Sequence, residues 1–102
     1  MNKFTIKGQP VSVNKDLKFY EYLHDLIPTL PKDLSYGQVI LDIYHIEKIG
    51  NGFFDVENLA YAPILAIESV IGRSLDEVLI RGHFVDNIKY AKVEVQVDEN
   101  LW

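Results

Sequence analysis

Asp55 and Glu57 stand two residues apart, and a second acidic pair, Asp76-Glu77, follows an apolar segment that closes at Gly72. Carboxylates at i and i+2 point to one side only where the backbone is extended. Phe53-Phe54 just before them suits a strand end or a tight entry, and Asn58 can turn the chain into a helix. Hard divalent cations such as Mg²⁺ take carboxylate oxygens, one or two of them from protein, so this arrangement can hold one. The plainer alternative stays open. Acids at a helix start favour the positive end of its dipole, and Asp-Glu before a strand is often a solvated turn.

The rest of the chain must position these residues. Its 102 residues fit one domain with one modest core, and 48% apolar composition argues against disorder. Without cysteine, disulfide scaffolds, thiolate metal sites and cysteine nucleophiles are excluded. The first twenty residues lack a basic-then-apolar leader, and the longest apolar run, Leu59 to Ile67, contains Pro63 and is too short to span a membrane. A cytoplasmic protein without a membrane partner is expected. The net charge of −5 is unlike that of a strong nucleic-acid binder. Any such contact would rest on the lysine-rich N-terminal end (Lys3, Lys7, Lys15, Lys18) and a few later basic residues such as Lys48.

Lys3 to Lys7 alternates with period two and reads as a first strand, closed by Gly8 and Pro10. Asn14 is a plausible N-cap for a helix over 15–27, with Leu17, Tyr20, Leu23 or His24, and Ile27 along one stripe and Pro28 and Pro31 stopping it. Val39 to Ile46 is apolar on both faces, as in a central strand covered on each side. Asn58 to Ile71 should be mainly helical, either kinked at Pro63 or starting near it. Val78–Val85 and Tyr90–Val97 read as third and fourth strands, joined as a hairpin through Asp86-Asn87. The order is βαβαββ, an α+β domain with one mixed sheet and two helices. His45 and His83 lack spaced partners for zinc and read as structural, and His24 reads as a residue of the first helix's amphipathic face.

Three stretches carry a resemblance: Phe4-x-Ile6-x-Gly8-x-Pro10-x-Ser12-x-Asn14, Asp55-x-Glu57-Asn58-Leu59, and Gly72-x-x-x-Asp76-Glu77-x-x-Ile80. With the element order, they make the chain from Lys3 to Val97 resemble the RusA family of Holliday-junction resolvases, common in phages and prophages. The resemblance implies a homodimeric, Mg²⁺-dependent endodeoxyribonuclease that nicks four-way DNA junctions in recombination and repair. It puts Asp55, Glu57, Asp76 and Glu77 in catalytic places, with Asp55, Glu57 and Glu77 as metal ligands. The residues expected toward DNA are Lys3, Lys7, Asn14, Lys15, Lys18, Lys48 and Tyr61. A metal ion there would activate water and stabilise charge on the scissile phosphate. Glu57 replaces the family's aspartate, Tyr61 its usual lysine, and Phe53-Phe54 its usual basic residues. The alternative is therefore a catalytically impaired RusA-like dimer that binds or inhibits. An unrelated acidic partner protein, such as a toxin-neutralising domain, is a third reading.

Overall fold

The computed structural model describes residues 2–46 and 56–102. Four strands and two helices follow one another as β1 (Asn2–Lys7), α1 (Leu17–Leu26), β2 (Gln38–His45), α2 (Val56–Ile71), β3 (Val78–Phe84) and β4 (Lys92–Asp98). Short 3₁₀ turns lie at Val13–Lys15, Ile27–Thr29 and Ile88–Tyr90. The element order is the expected one.

The sheet order is β1-β4-β2-β3, with β4 antiparallel to both neighbours and β2 parallel to β3. The expected β3–β4 hairpin is therefore corrected. The α2 crossover lays β3 parallel to β2 at one edge, while β4 inserts between β1 and β2. Asn87 does not close a hairpin; its side chain accepts from the Lys89 N–H at 3.0 Å and caps the 3₁₀ turn. The strict alternation of β4 reflects an interior strand with Val93, Val95 and Val97 buried on one face. Among the described residues the free edges of the sheet are β1 and β3.

Both helices add to one core. Ile6, Leu26, Leu30, Val39, Leu41, Ile43, Leu59, Ile67 and the three β4 valines belong to it. Among the described residues no helix covers the opposite face, where Lys3, Thr5, Lys7, Leu79 and Arg81 are exposed, which corrects the expectation that β2 is covered on each side. Register sets that face in cross-strand rows. Lys7, Lys92, Tyr44 and His83 form one, and Thr5, Glu94, Asp42 and Arg81 the next. Ile40 and Tyr44, which made β2 look two-sided, are half-buried among these neighbours.

Helix α1 is rotated from the expected stripe. Leu17 and Tyr20 are exposed, as is His24, while Phe19 and Leu26 are buried with Tyr22, Leu23 and Ile27 half-buried. Phe19, Leu23 and Leu26 recur at helical spacing and lead on to Leu30, giving a more continuous apolar face. Asn14 is not the cap: it lies in the first 3₁₀ turn, and its N–H donates to Ser12 Oγ at 3.3 Å. Asp16 occupies the N-cap at φ 49°, its carbonyl accepting from Phe19 and Tyr20.

Helix α2 runs through Pro63 from Val56, which excludes a start near the proline. The ring removes one backbone donor but is buried beside Ala60, Ala62, Ala66 and Ile67, small or shape-compatible neighbours on the core side. Gly72 ends the helix at φ +84°, a left-handed position that favours glycine, with its N–H on the Glu68 carbonyl at 2.8 Å.

Candidate functional site

The crossover separates the candidate acids. Val56 opens α2 against the far end of the parallel pair, where a Cβ on Gly82 would lie 3.1 Å from Val56 Cγ2. Glu57 follows it, exposed, on the first turn. Asp76 and Glu77 sit at the other end, just before β3, where the Glu77 carbonyl accepts from Val39 N–H at 3.0 Å. From Val78 to Gly82 the strand rises about 13 Å, and α2 is about 24 Å long. One small cation holds its oxygens at about 2.1 Å, so Glu57 and Glu77 of one chain do not share one. Among the described residues no group of three His, Asp or Glu converges to hold a metal ion. Asp55, Lys48 and Phe53-Phe54 lie outside the described residues.

Asp76 and Glu77 are engaged within the chain. Tyr36 Oη donates to Asp76 Oδ2 at 2.6 Å, and the Arg73 guanidinium lies 3.8 Å from the Tyr36 ring centroid. That hydrogen bond to Asp76 raises the Tyr36 phenol above its ordinary pKa. Glu77 Oε2 accepts from Gln38 Nε2 at 3.0 Å and from Trp102 Nε1 at 3.1 Å. Gln38 Oε1 in turn accepts from the Leu101 and Trp102 backbone at 2.6 and 3.1 Å, so the C-terminal residues lie across this end.

The residues expected toward DNA divide between layers. Lys3 and Lys7 stand exposed on the open sheet face. Asn14 and Lys15 lie on the 3₁₀ turn before α1, Lys18 on α1 and Tyr61 on the exposed side of α2, all in the helix layer.

Sequence reasoning missed a cluster at the centre of the open face. Asp42 is buried there, and Arg81 donates to both its oxygens, from Nε at 2.7 Å and Nη2 at 2.8 Å. His83 Nε2 lies 2.8 Å from Asp42 Oδ1. The Arg81 hydrogen bonds hold the Asp42 carboxyl below the usual carboxylate range, burial opposes them, and His83 adds to the lowering. Asp42 in return raises the Arg81 guanidinium. Tyr44 stacks on His83 with ring centroids 4.5 Å apart, and Lys92 Nζ lies 5.0 Å from the Tyr44 centroid while bridging Glu94 at 2.8 Å. That bridge raises the Lys92 ammonium. A signal existed. An acid in an apolar strand needs a partner, and Arg81-x-His83 alternates on the next strand.

Beside this cluster runs a groove of about 680 Å³ lined by Lys7, Lys89 and Lys92 with Tyr44 and Tyr90. Among the described residues no carboxylate lines it. No described helix is long and apolar enough to cross a membrane. A search of known protein families found no matching model, and none of the curated proteins matches the chain.

Proposed function

We propose that this chain is a RusA-like protein of four-way-junction DNA, a homodimer with Mg²⁺-dependent endodeoxyribonuclease activity. The observation that carries the reading is the placement of its motifs. Glu57-Asn58-Leu59 opens α2, Gly72 closes it, and Asp76-Glu77 leads into β3. Each carboxylate thus lies at the end of a regular element, where rigid backbone can aim it. Since one chain keeps Glu57 and Glu77 apart, the reading requires acids of two chains to meet. Because β4 is interior, pairing of two chains edge to edge would fall to β1 or β3, the free edges among the described residues. Mg²⁺ would supply water activation and charge stabilisation at phosphate.

A second reading is a RusA-like dimer that binds junctions without cutting or acts as an inhibitor. It is favoured by the engagement of Asp76 by Tyr36 and of Glu77 by Gln38 and Trp102. Tyr61, nearly half exposed where the family has lysine, also fits it.

Nicking of a synthetic four-way junction, beside duplex of the same sequence, tests the first reading. Mg²⁺-dependent, junction-selective cuts are expected, and their absence despite junction binding leaves the second. Mixed dimers with Asp55→Asn on one chain and Glu77→Gln on the other should keep partial activity if sites combine across the interface. If each site belongs to one chain, both sites are damaged.

A further inference from the structure

The basic groove on the open sheet face serves neither the acids nor the core. Lys7 and Lys92 enter it from neighbouring strands, and Lys89 and Tyr90 from the 3₁₀ turn that leads into β4. Tyr90 is more than half exposed, and Lys89 Nζ lies 5.0 Å from its ring centroid. Tyr44 has the same relation to Lys92 at 5.0 Å, and His83 holds its ring at an interplanar angle of 17°. Each tyrosine is thus paired with an ammonium, and that of Lys92 also bridges Glu94. Arg81 is anchored by Asp42 at the groove's flank, and Lys3 lies on the same face of β1.

We propose that this groove binds single-stranded nucleic acid, with the lysines on phosphates and the tyrosines stacked on bases. The charge is complementary: Lys7, Lys89 and Lys92 line the groove and none of its described lining residues is acidic, with Glu94 at its border bridging Lys92 at 2.8 Å. The rings decide among polyanions. Lysine stems can swing their ammonium groups from ring to phosphate, leaving a π-face that an unpaired base fills. Duplex DNA keeps its base faces stacked, and an acidic polypeptide offers none. The inference needs neither a metal nor a second chain and does not depend on the nuclease reading.

Fluorescence anisotropy with short labelled oligo(dT) and oligo(U), beside duplex of equal length and poly-glutamate as competitor, tests it. Both single strands should bind at low salt with a log–log salt slope of about −1.4 to −2, since Lys7 and Lys89 each contribute about 0.7 on single strands and Lys92 must first leave Glu94. Tighter binding of one would assign a sugar contact and uphold the proposal. Tyr90→Ala should weaken binding roughly tenfold with the slope kept. Combined Lys7→Gln, Lys89→Gln and Lys92→Gln should flatten the slope, and Lys89→Gln alone should reduce it by about 0.7. Circular dichroism checks that each variant is folded. No binding to single strands, equal or tighter binding to duplex, or displacement by poly-glutamate as effective as by oligo(dT) would overturn the proposal. So would binding that ignores both Tyr90→Ala and Lys89→Gln. Junction nicking is a separate readout, so either idea can fail alone.

Discussion

The open face of the sheet has two unlike ends. At the start of β2 and β3, Gln38, Glu77 and Asp98 share a row with Asp76 and Glu99 close in sequence, and Tyr36 and Trp102 are the aromatics. At the far end Lys7, Lys89 and Lys92 surround Tyr44 and Tyr90. Both ends pair aromatics with charge, yet they are built differently. The acidic end closes on itself, its carboxylates accepting from Tyr36, Gln38 and Trp102 while the C-terminal backbone lies on Gln38. The basic end leaves a groove. Asp42, between them, is spent on Arg81 and His83, and of the three lysines Lys92 is bridged by Glu94. The comparison teaches that a net charge of −5 does not describe any one surface.

Each end can be broken separately. At the acidic end a Cβ on Gly37 would lie 2.5 Å from the Asp98 carbonyl oxygen, which is backbone and cannot rotate away. Gly37→Ala should splay β2 from the end of β4 and cost about 3 kcal/mol in urea unfolding. Trp102, the single tryptophan, should report the disturbance by a change in emission. Nucleic-acid binding at the other end should persist while the fold does.

At the boundary, Asp42→Ala would leave Arg81 and His83 without their shared acceptor. Removing one partner of a buried pair costs 3–5 kcal/mol, and Arg81 is nearly half exposed, so about 2 kcal/mol is expected. The Tyr44–His83 stack should loosen with it, coupling stability to the groove. Titration gives a finer test. The Asp42 carboxyl lies lower in the folded chain than its unfolded value of about 3.9. Its stabilisation is therefore complete above that value and is lost as pH falls through the lower folded one. Melting temperature should drop below about pH 4, and Asp42→Asn should remove part of that drop.

The smallest effect lies away from both ends. The Tyr22 hydroxyl is buried without a hydrogen-bond partner among the described residues, and burial pushes its pKa up to about 12. Tyr22→Phe should leave stability unchanged or raise it by less than about 1 kcal/mol. It should also remove the last tyrosine step in an alkaline absorbance titration. A marked loss of stability would show a partner for that hydroxyl.

Period-two alternation located β1 and β4, a run apolar on both faces located β2, and Gly72 marked the end of α2, because local backbone preference and burial agree there. Pairing was not legible. Asp86-Asn87 looks like a hairpin turn, but hydrogen bonding on both edges of β4 outweighs a local turn. Two-sided apolarity in β2 came from Ile40 and Tyr44, which sit among cross-strand neighbours on an open face. Of the candidate site, the places of Glu57 on α2 and of Asp76-Glu77 before β3 were legible, and their separation by α2 was only hinted at by its length. The groove was illegible as a unit, since Lys7, Tyr44 and Lys89 meet only once β4 is placed between β1 and β2.

The central claim, that one face is divided and its basic end takes nucleic acid, is tested most directly by photocrosslinking. A 5-bromodeoxyuridine-substituted single strand would be irradiated on the wild-type protein and the attached peptides identified by mass spectrometry. Crosslinks at Tyr90 and Tyr44 are the predicted result. Crosslinks at Trp102 and Tyr36, which are equally aromatic but stand among carboxylates, would contradict it.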